Sequence, residues 1–257
     1  MTTLELAELI RGTIIHQVNE NEAITSYRNP LIGFVAADDP GVSNLSEFIG
    51  FDHLKPCDLL PGALSIVSFF LPFTPELVYA NAKEKEQVAR EWAIAYVETN
   101  ALIGKITSRL IEVLDQDNIR AAAVPATGNF DEKALRSSWS HKSLAVLAGL
   151  GSFGLHQMVI TDAGCAGRFG SLVIDAALPF DKPAKKERCA FYASGTCLDC
   201  ALACPANAID ENEPFNRQAC WAQCRKNGQR ILDLGDEVHV CGKCAVKGPC
   251  AFGSAFN

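Results

Sequence analysis

The sequence predicts an α+β protein in two parts: a mixed α/β domain over residues 1–180 and a small cysteine-rich domain over 181–257. Three observations predict it. Of 11 cysteines, only Cys57 and Cys165 precede residue 180, and the other nine follow it. From Lys182 onward ten Lys/Arg face eight Asp/Glu, a balance of +2, which leaves −9 of the total −7 to the first part. Between the parts runs Leu178-Pro-Phe-Asp-Lys-Pro183, whose two prolines and two charges read as a linker.

The elements of the first part follow from hydrophobic period. Thr3 to Val18 carries Leu4, Leu6, Leu9, Ile10 and Ile14 roughly on one helical face. Ile32–Ala36 and Leu64–Phe70 are rich in β-branched and aromatic residues and read as strands. From Ala82 to Leu114, Val88, Trp92, Ala95, Leu102, Ile106, Leu110 and Val113 recur in steps of three, four or seven, which predicts one long helix, with Gly104 as a break or a close contact. A strand over Ile119–Val124 ends at Pro125. Ser140–Leu147 reads as a short helix, and Met158–Thr161 and Ser171–Ala176 as strands. Trp92, Trp139, Cys57 and Cys165 read as core or rim residues.

Composition excludes several classes. At 48% apolar and 21% charged the chain is globular, and a net charge of −7 argues against nucleic acid or an anionic membrane as partner. The longest apolar run, Leu64–Phe73, is about half the roughly 20 residues a spanning helix needs. Glu5 and Glu8 stand where a secretion signal would be basic, so the expectation is a cytoplasmic protein. Dense cysteine without such a signal points to metal or cluster chemistry, not disulfides.

The run Cys197-x2-Cys200-x3-Cys204-Pro205 matches the tail of the bacterial ferredoxin motif, in which the cysteine before proline ligates the other cluster. Two 4Fe–4S clusters need eight thiolates. Crossed pairing assigns Cys189, Cys197, Cys200 and Cys250 to one, and Cys204, Cys220, Cys241 and Cys244 to the other. Cys224, four residues from Cys220, is the spare and an alternative to it. Structural zinc is the competing reading of the two CxxC pairs, but it leaves the Cys204-Pro205 step unexplained. Among the five histidines none forms a paired metal motif, and His156, leaving a glycine segment, has the best claim to function.

That segment, Gly149-Leu-Gly-Ser-Phe-Gly154, satisfies G-x-G-x-x-G, with Asp175 at the right remove. The dinucleotide mechanism needs a strand before the glycines and a helix after. Here a helix precedes and a strand follows, so the segment reads as a helix C-cap and a tight passage into a strand.

Taken together, Ser140–Gly154, Ile160-Thr161, Arg168–Ser171 and Cys197–Pro205 resemble the epoxyqueuosine reductase family, and within it short double-cluster relatives distantly akin to reductive dehalogenases. The resemblance implies a nitroreductase-like fold for the first domain and a ferredoxin-like fold for the second. It also implies a base-off corrinoid (cobalamin) lying against Leu150–Val159, with Gly149, Gly151, Phe153, Gly154 and His156 as cofactor-binding residues and Asp131 as proton donor to substrate.

The expected function is an iron–sulfur oxidoreductase passing electrons through two clusters to a corrinoid or another acceptor near residues 149–159. The alternatives are an electron-transfer or adaptor protein with clusters alone, and an accessory protein that binds and reduces cobalamin. An electron-donor protein and a small-molecule acceptor are the expected partners, with Lys185–Arg188 as a solvated basic turn able to dock the donor.

Overall fold

A computed structural model describes residues 1–50, 52–126, 130–181, 187–236 and 238–253. Lys182 and Pro183 of the expected linker, and Lys185 and Lys186 of the basic turn, lie outside the described residues.

The fold is mixed α+β. Helix α1 (Thr3–Asn19) opens on a capping box: the Glu5 amide donates to Thr2 Oγ1 while the Thr2 amide donates to the Glu5 carboxylate. Leu4, in its first turn, is exposed. Strands β1 (Leu31–Ala36), β2 (Ser65–Pro72), β3 (Ala121–Ala123) and β8 (Gly167–Ile174) form one antiparallel sheet in the order β1-β2-β8-β3. Every residue of β2 is buried because both faces are covered. Val67, Phe69 and Leu71 face α1 and the long helix α3 (Arg90–Asp115), packing with Ile10, Ile14, Ile106 and Leu110. Ile66 points the other way, to Trp139, Leu144 and Ala148 around α4 (His141–Leu147), as the alternation of a strand requires.

The single helix expected over 82–114 is two. Helix α2 (Pro75–Lys83) ends where Glu84 turns extended, and α3 begins at Arg90. The intervening Glu84-Lys-Glu-Gln87 run offers nothing to bury, and the side chain of Asn81 takes over from the helix: its Oδ1 accepts the Ala89 amide at 3.0 Å and its Nδ2 donates to the Cys241 carbonyl at 3.0 Å. Gly104 breaks nothing; α3 runs through it, and a Cβ there would meet no atom within 4 Å. The last strand starts four residues earlier than expected, at Gly167, because Arg168 and Gly170 pair with Leu71 and Phe69.

Two further corrections concern single residues. Cys57 is exposed, since it sits in the one-turn helix Pro56–Leu59 at the surface. Arg188 is buried and ion-paired with Asp162, so it anchors the start of the cysteine-rich segment and is not part of a solvated turn.

The strands β6 (Gly151–Phe153) and β7 (Val159–Thr161) form a separate hairpin beside α4. A second small hairpin joins β4 (Phe130–Asp131) to β5 (Arg136–Ser137). The cysteine-rich segment adds the short helices α5 (Ala190–Ser194) and α6 (Asp199–Leu202), helix α7 (Arg217–Gly228), and 3-10 turns at Lys243–Ala245 and Pro249–Ala251.

Candidate metal centre and adjoining cleft

Each cysteine is placed by a local device. Cys189 precedes α5, which Gly195 ends at φ +69°. Cys200 lies in α6, and Cys204 leaves that helix just before Pro205, its amide bonded to Ala201 O at 3.1 Å. Cys220 and Cys224 stand one turn apart on α7, whose N-cap Asn216 accepts the Ala219 amide. Between Cys241 and Cys244, Gly242 at φ +72° lies against the Trp92 ring; a Cβ there would come within 2.5 Å of the indole. Lys243 Nζ is buried and donates to both oxygens of Asn81, at 2.6 and 3.0 Å, tying this loop to α2.

These devices gather the thiols into two groups. Cys189, Cys197, Cys200 and Cys250 line one small cavity together with His156. Cys204, Cys220, Cys224, Cys241 and Cys244 line a larger one, of about 300 Å³. Cys200 and Cys204, four residues apart in sequence, open onto different cavities. Burial pushes the Cys200 thiol up to about 12, raises Cys197 and Cys241, and holds Cys244 well above the ordinary thiol range. A hydrogen bond with Cys224 draws Cys220 down to about 7 and pushes Cys224 up. Cys250 is drawn down to about 5, chiefly by a hydrogen bond with Cys165, whose own thiol is raised.

The glycine segment is a Schellman cap. Gly149, at φ +78°, follows the C-cap Ala148 of α4; its amide bonds Val146 O at 3.0 Å, and the Leu150 amide bonds Ala145 O at 2.9 Å. Gly151 then passes so close to β7 that a Cβ would stand 2.2 Å from Ile160 O. Of residues 149–159, Leu150, Leu155 and Val159 are packed in apolar clusters, while Phe153, His156, Gln157 and Met158 reach cavity walls.

A cleft of about 390 Å³ adjoins the larger cavity, sharing Lys142, Gln157, Cys220 and Cys224 with it. Its other walls include Phe130, Arg136, Phe153, Arg217 and Trp221. Trp221 and Phe130 lie 5.1 Å apart, ring to ring. Lys142 Nζ donates to Gln157 O at 2.9 Å, and burial lowers its pKa. Arg168, over the Tyr96 ring at 4.3 Å, lines the larger cavity; burial lowers its pKa too, and its Nε has no hydrogen-bond partner among the described residues.

Asp131 sits on the exposed β4–β5 hairpin beside this cleft. Its carboxylate accepts the amides of Ala134 at 3.0 Å and Lys133 at 2.7 Å, which lower its pKa and favour the ionised form.

Sequence reasoning missed Lys142, Arg168 and Trp221. A signal for Trp221 was present, since an aromatic between two cysteines of one helix turn must share their surroundings. Lys142 and Arg168 fall within the segments that carry the resemblance, but no period or ligand spacing marks their side chains; the fold turns them towards the cavity of the thiols.

Comparison with known proteins bears on this arrangement. No family model matches the chain. The epoxyqueuosine reductase of Salmonella typhimurium is 29% identical over 207 residues, covering 76% of this chain and 50% of its own; the chain thus spans about half the length of such relatives. The structure of epoxyqueuosine reductase from Bacillus subtilis, with its catalytic aspartate loop swung out of the active site, superposes with a TM-score of 0.61 at 19% identity, over 98% of this chain and 68% of its own. A crystal structure of epoxyqueuosine reductase with an epoxyqueuosine-modified tRNA stem loop superposes with a TM-score of 0.56 at 18% identity, over 93% and 64%. That relative's partner runs against the expectation, drawn from net charge, of no nucleic acid. No helix of the described residues is long and apolar enough to cross a membrane. The chain is similar to epoxyqueuosine reductases in sequence over three quarters of its length and in fold over nearly all of it.

Proposed function

We propose that the chain is an iron–sulfur oxidoreductase. In this reading residues 181–257 form a ferredoxin-like module with two 4Fe–4S clusters, and residues 1–180, a nitroreductase-like domain, close over them. The observation that carries it is the separation of Cys200 from Cys204 onto two cavities, each walled by at least four thiols. The donor set fits the group: all-sulfur, buried or partly buried, with no carboxylate among the described residues that line either wall. Cys189, Cys197, Cys200 and Cys250 hold one cluster; Cys204, Cys220, Cys241 and Cys244 hold the other, with Cys224 held as a thiol beside Cys220. The clusters, when bound, supply one-electron transfer. The protein excludes water with Leu155, Ile160 and Ile209 and donates the Ala208 amide to Cys204 Sγ at 3.3 Å. Cys200, Cys241 and Cys244, raised by burial, release protons when ligated, so loading favours higher pH.

The acceptor occupies the cleft beside Cys220, against Phe153, Gln157 and Trp221. A base-off corrinoid, when bound, would be held against these aromatic and amide walls and would supply electron transfer there; His156, both of whose nitrogens are engaged, lines the two neighbouring cavities and not this cleft. Asp131 is the proton donor to substrate. Its two amide bonds must break as the hairpin turns inward, and their loss raises its pKa towards the acid form that donation requires. The outward aspartate loop of the Bacillus subtilis relative supports this reading.

Titration of the reconstituted protein with cobalamin tests the acceptor: a saturable spectral change is expected. A silent titration removes the corrinoid and leaves an electron-transfer protein with clusters alone. The same preparation is titrated with a tRNA stem loop and with a neutral polymer across salt. A salt-steep curve for the RNA alone assigns a nucleic-acid substrate, and coincident curves exclude it.

A further inference from the structure

The group formed by His156, Cys165 and Cys250 lies between the two cavities. The ligating atoms of the three residues all fall within 4.8 Å of one another. His156 lines both cavities, Cys250 only the smaller one and Cys165 only the larger.

The hydrogen bonds fix the state of the imidazole. The Met158 amide donates to His156 Nδ1 at 3.1 Å, so Nδ1 must present a lone pair. That excludes the imidazolium and leaves the proton on Nε2. Nε2 stands 3.5 Å from Cys250 Sγ and 3.6 Å from Cys165 Sγ.

The ring is built in. It is 3% exposed. Gly154 makes room for it: a Cβ at that position would stand 2.8 Å from its Cε1. The turn that carries it is closed by Gly154 N to Met158 O and Gln157 N to Gly154 O, both 2.9 Å, with Gln157 at φ +59°. The sulfur side is equally fixed. The Cys165 amide bonds Cys250 O at 2.9 Å, and Gly164 packs so tightly on the same segment that a Cβ would come within 2.3 Å of Ala251 O. Arg28 clamps this junction by donating to the carbonyls of Ala163 and Phe252.

We infer that His156 is a positioning residue that donates its Nε2–H to the Cys250 sulfur and sets the reduction potential of the cluster held by Cys189, Cys197, Cys200 and Cys250. This rests on the two-cluster reading. Reduction places extra negative charge on the ligand sulfurs; an N–H aimed at one of them stabilises the reduced form and raises the potential. Among the described residues the sulfurs bonded to Nε2 are those of Cys250 and Cys165, and Cys165 is assigned to neither cluster, so the effect is expected to fall on one cluster.

Redox titration followed by electron paramagnetic resonance, on reconstituted wild type, His156→Leu and His156→Gln, tests the inference. The leucine variant is expected to shift one of two midpoints to more negative potential and leave the other in place. The glutamine variant, which keeps an N–H at similar reach, is expected to return towards wild type. Both midpoints unmoved in the leucine variant, or glutamine shifting as far as leucine, overturns it. Should the leucine variant hold no iron, His156→Asn, whose amide falls short of the sulfur, is read against glutamine: a more negative midpoint for asparagine supports the inference, and equal midpoints overturn it. A wild-type protein without two one-electron couples contradicts the cluster reading and the inference with it. Intact couples that ignore His156 overturn the inference alone.

Discussion

Cys200 and Cys204 differ by one turn of chain and face different cavities, and that divergence governs what single substitutions should do. Cys200→Ser and Cys204→Ser are each expected to lose about half the iron, and the double variant nearly all of it, by iron assay on anaerobically purified protein. Cys220→Ser is expected to lose about half and Cys224→Ser none; equal loss from both would mean that Cys224 is a ligand. The divergence of Cys200 and Cys204 was legible in the sequence because the ferredoxin spacing encodes which cysteine turns away; the ligand grouping built on it is what the iron assays test. The choice between Cys220 and Cys224 was not, since both sit on one helix turn and both reach the cavity.

His141 shows a second effect at this scale. It is buried, its Nδ1 2.7 Å from Ser171 Oγ, and burial pushes its pKa from 6.5 down to about 4. Below pH 6.5 the unfolded chain takes up a proton that the folded chain refuses until about pH 4. Stability is therefore full above that window and falls as pH drops through it, by about 2 kcal/mol between pH 7 and pH 5. Anaerobic urea unfolding of wild type and His141→Gln measures this: the pH-dependent loss should shrink in the variant, and identical slopes would contradict it.

At the scale of elements, glycines divide into those that position the site and those that do not. Gly242→Ala forces a Cβ against Trp92 at a positive φ and is expected to cost more than about 1 kcal/mol and to deplete the iron held by Cys241 and Cys244. Gly104→Ala, in the middle of α3 with open space around it, is expected to stabilise by about 0.5–1 kcal/mol with iron unchanged. Thermal unfolding and iron assay on the two variants check both signs. The four strands of the main sheet, β7 and α1 were legible because a hydrophobic or β-branched pattern marks each; β4, β5 and β6, of two or three residues, are too short to carry one. The α2–α3 break was not, since the apolar stripe spans it: Val88 and Trp92 continue a pattern that Asn81 interrupts through bonds to Ala89 and, across 160 residues, to Cys241. A long-range polar anchor leaves no local period to read.

Over the whole molecule, residues of the N-terminal part tie down the cysteine-bearing loops. Arg28, Asn81, Trp92 and the β7–β8 turn each reach the cysteine-bearing loops, through Phe252, Cys241, Gly242 and Cys250. Composition separates a cysteine-poor acidic part from a cysteine-rich one, and the glycine segment failed the dinucleotide pattern by its order of elements. What composition could not carry is the contact between the parts, which places Lys142, Arg168 and Trp221 around the thiols. Net charge also pointed away from nucleic acid, whereas a relative of the same fold holds a tRNA stem loop; an average over the surface says little about one cleft that gathers Arg136, Lys142 and Arg217.

Iron and acid-labile sulfide per chain, measured on anaerobically reconstituted protein with zinc assayed in parallel, test the central claim most directly. Two cubes with ligands exchanged between the early and late cysteines predict about eight of each and no stoichiometric zinc. About four irons per chain, or zinc in their place, would contradict it.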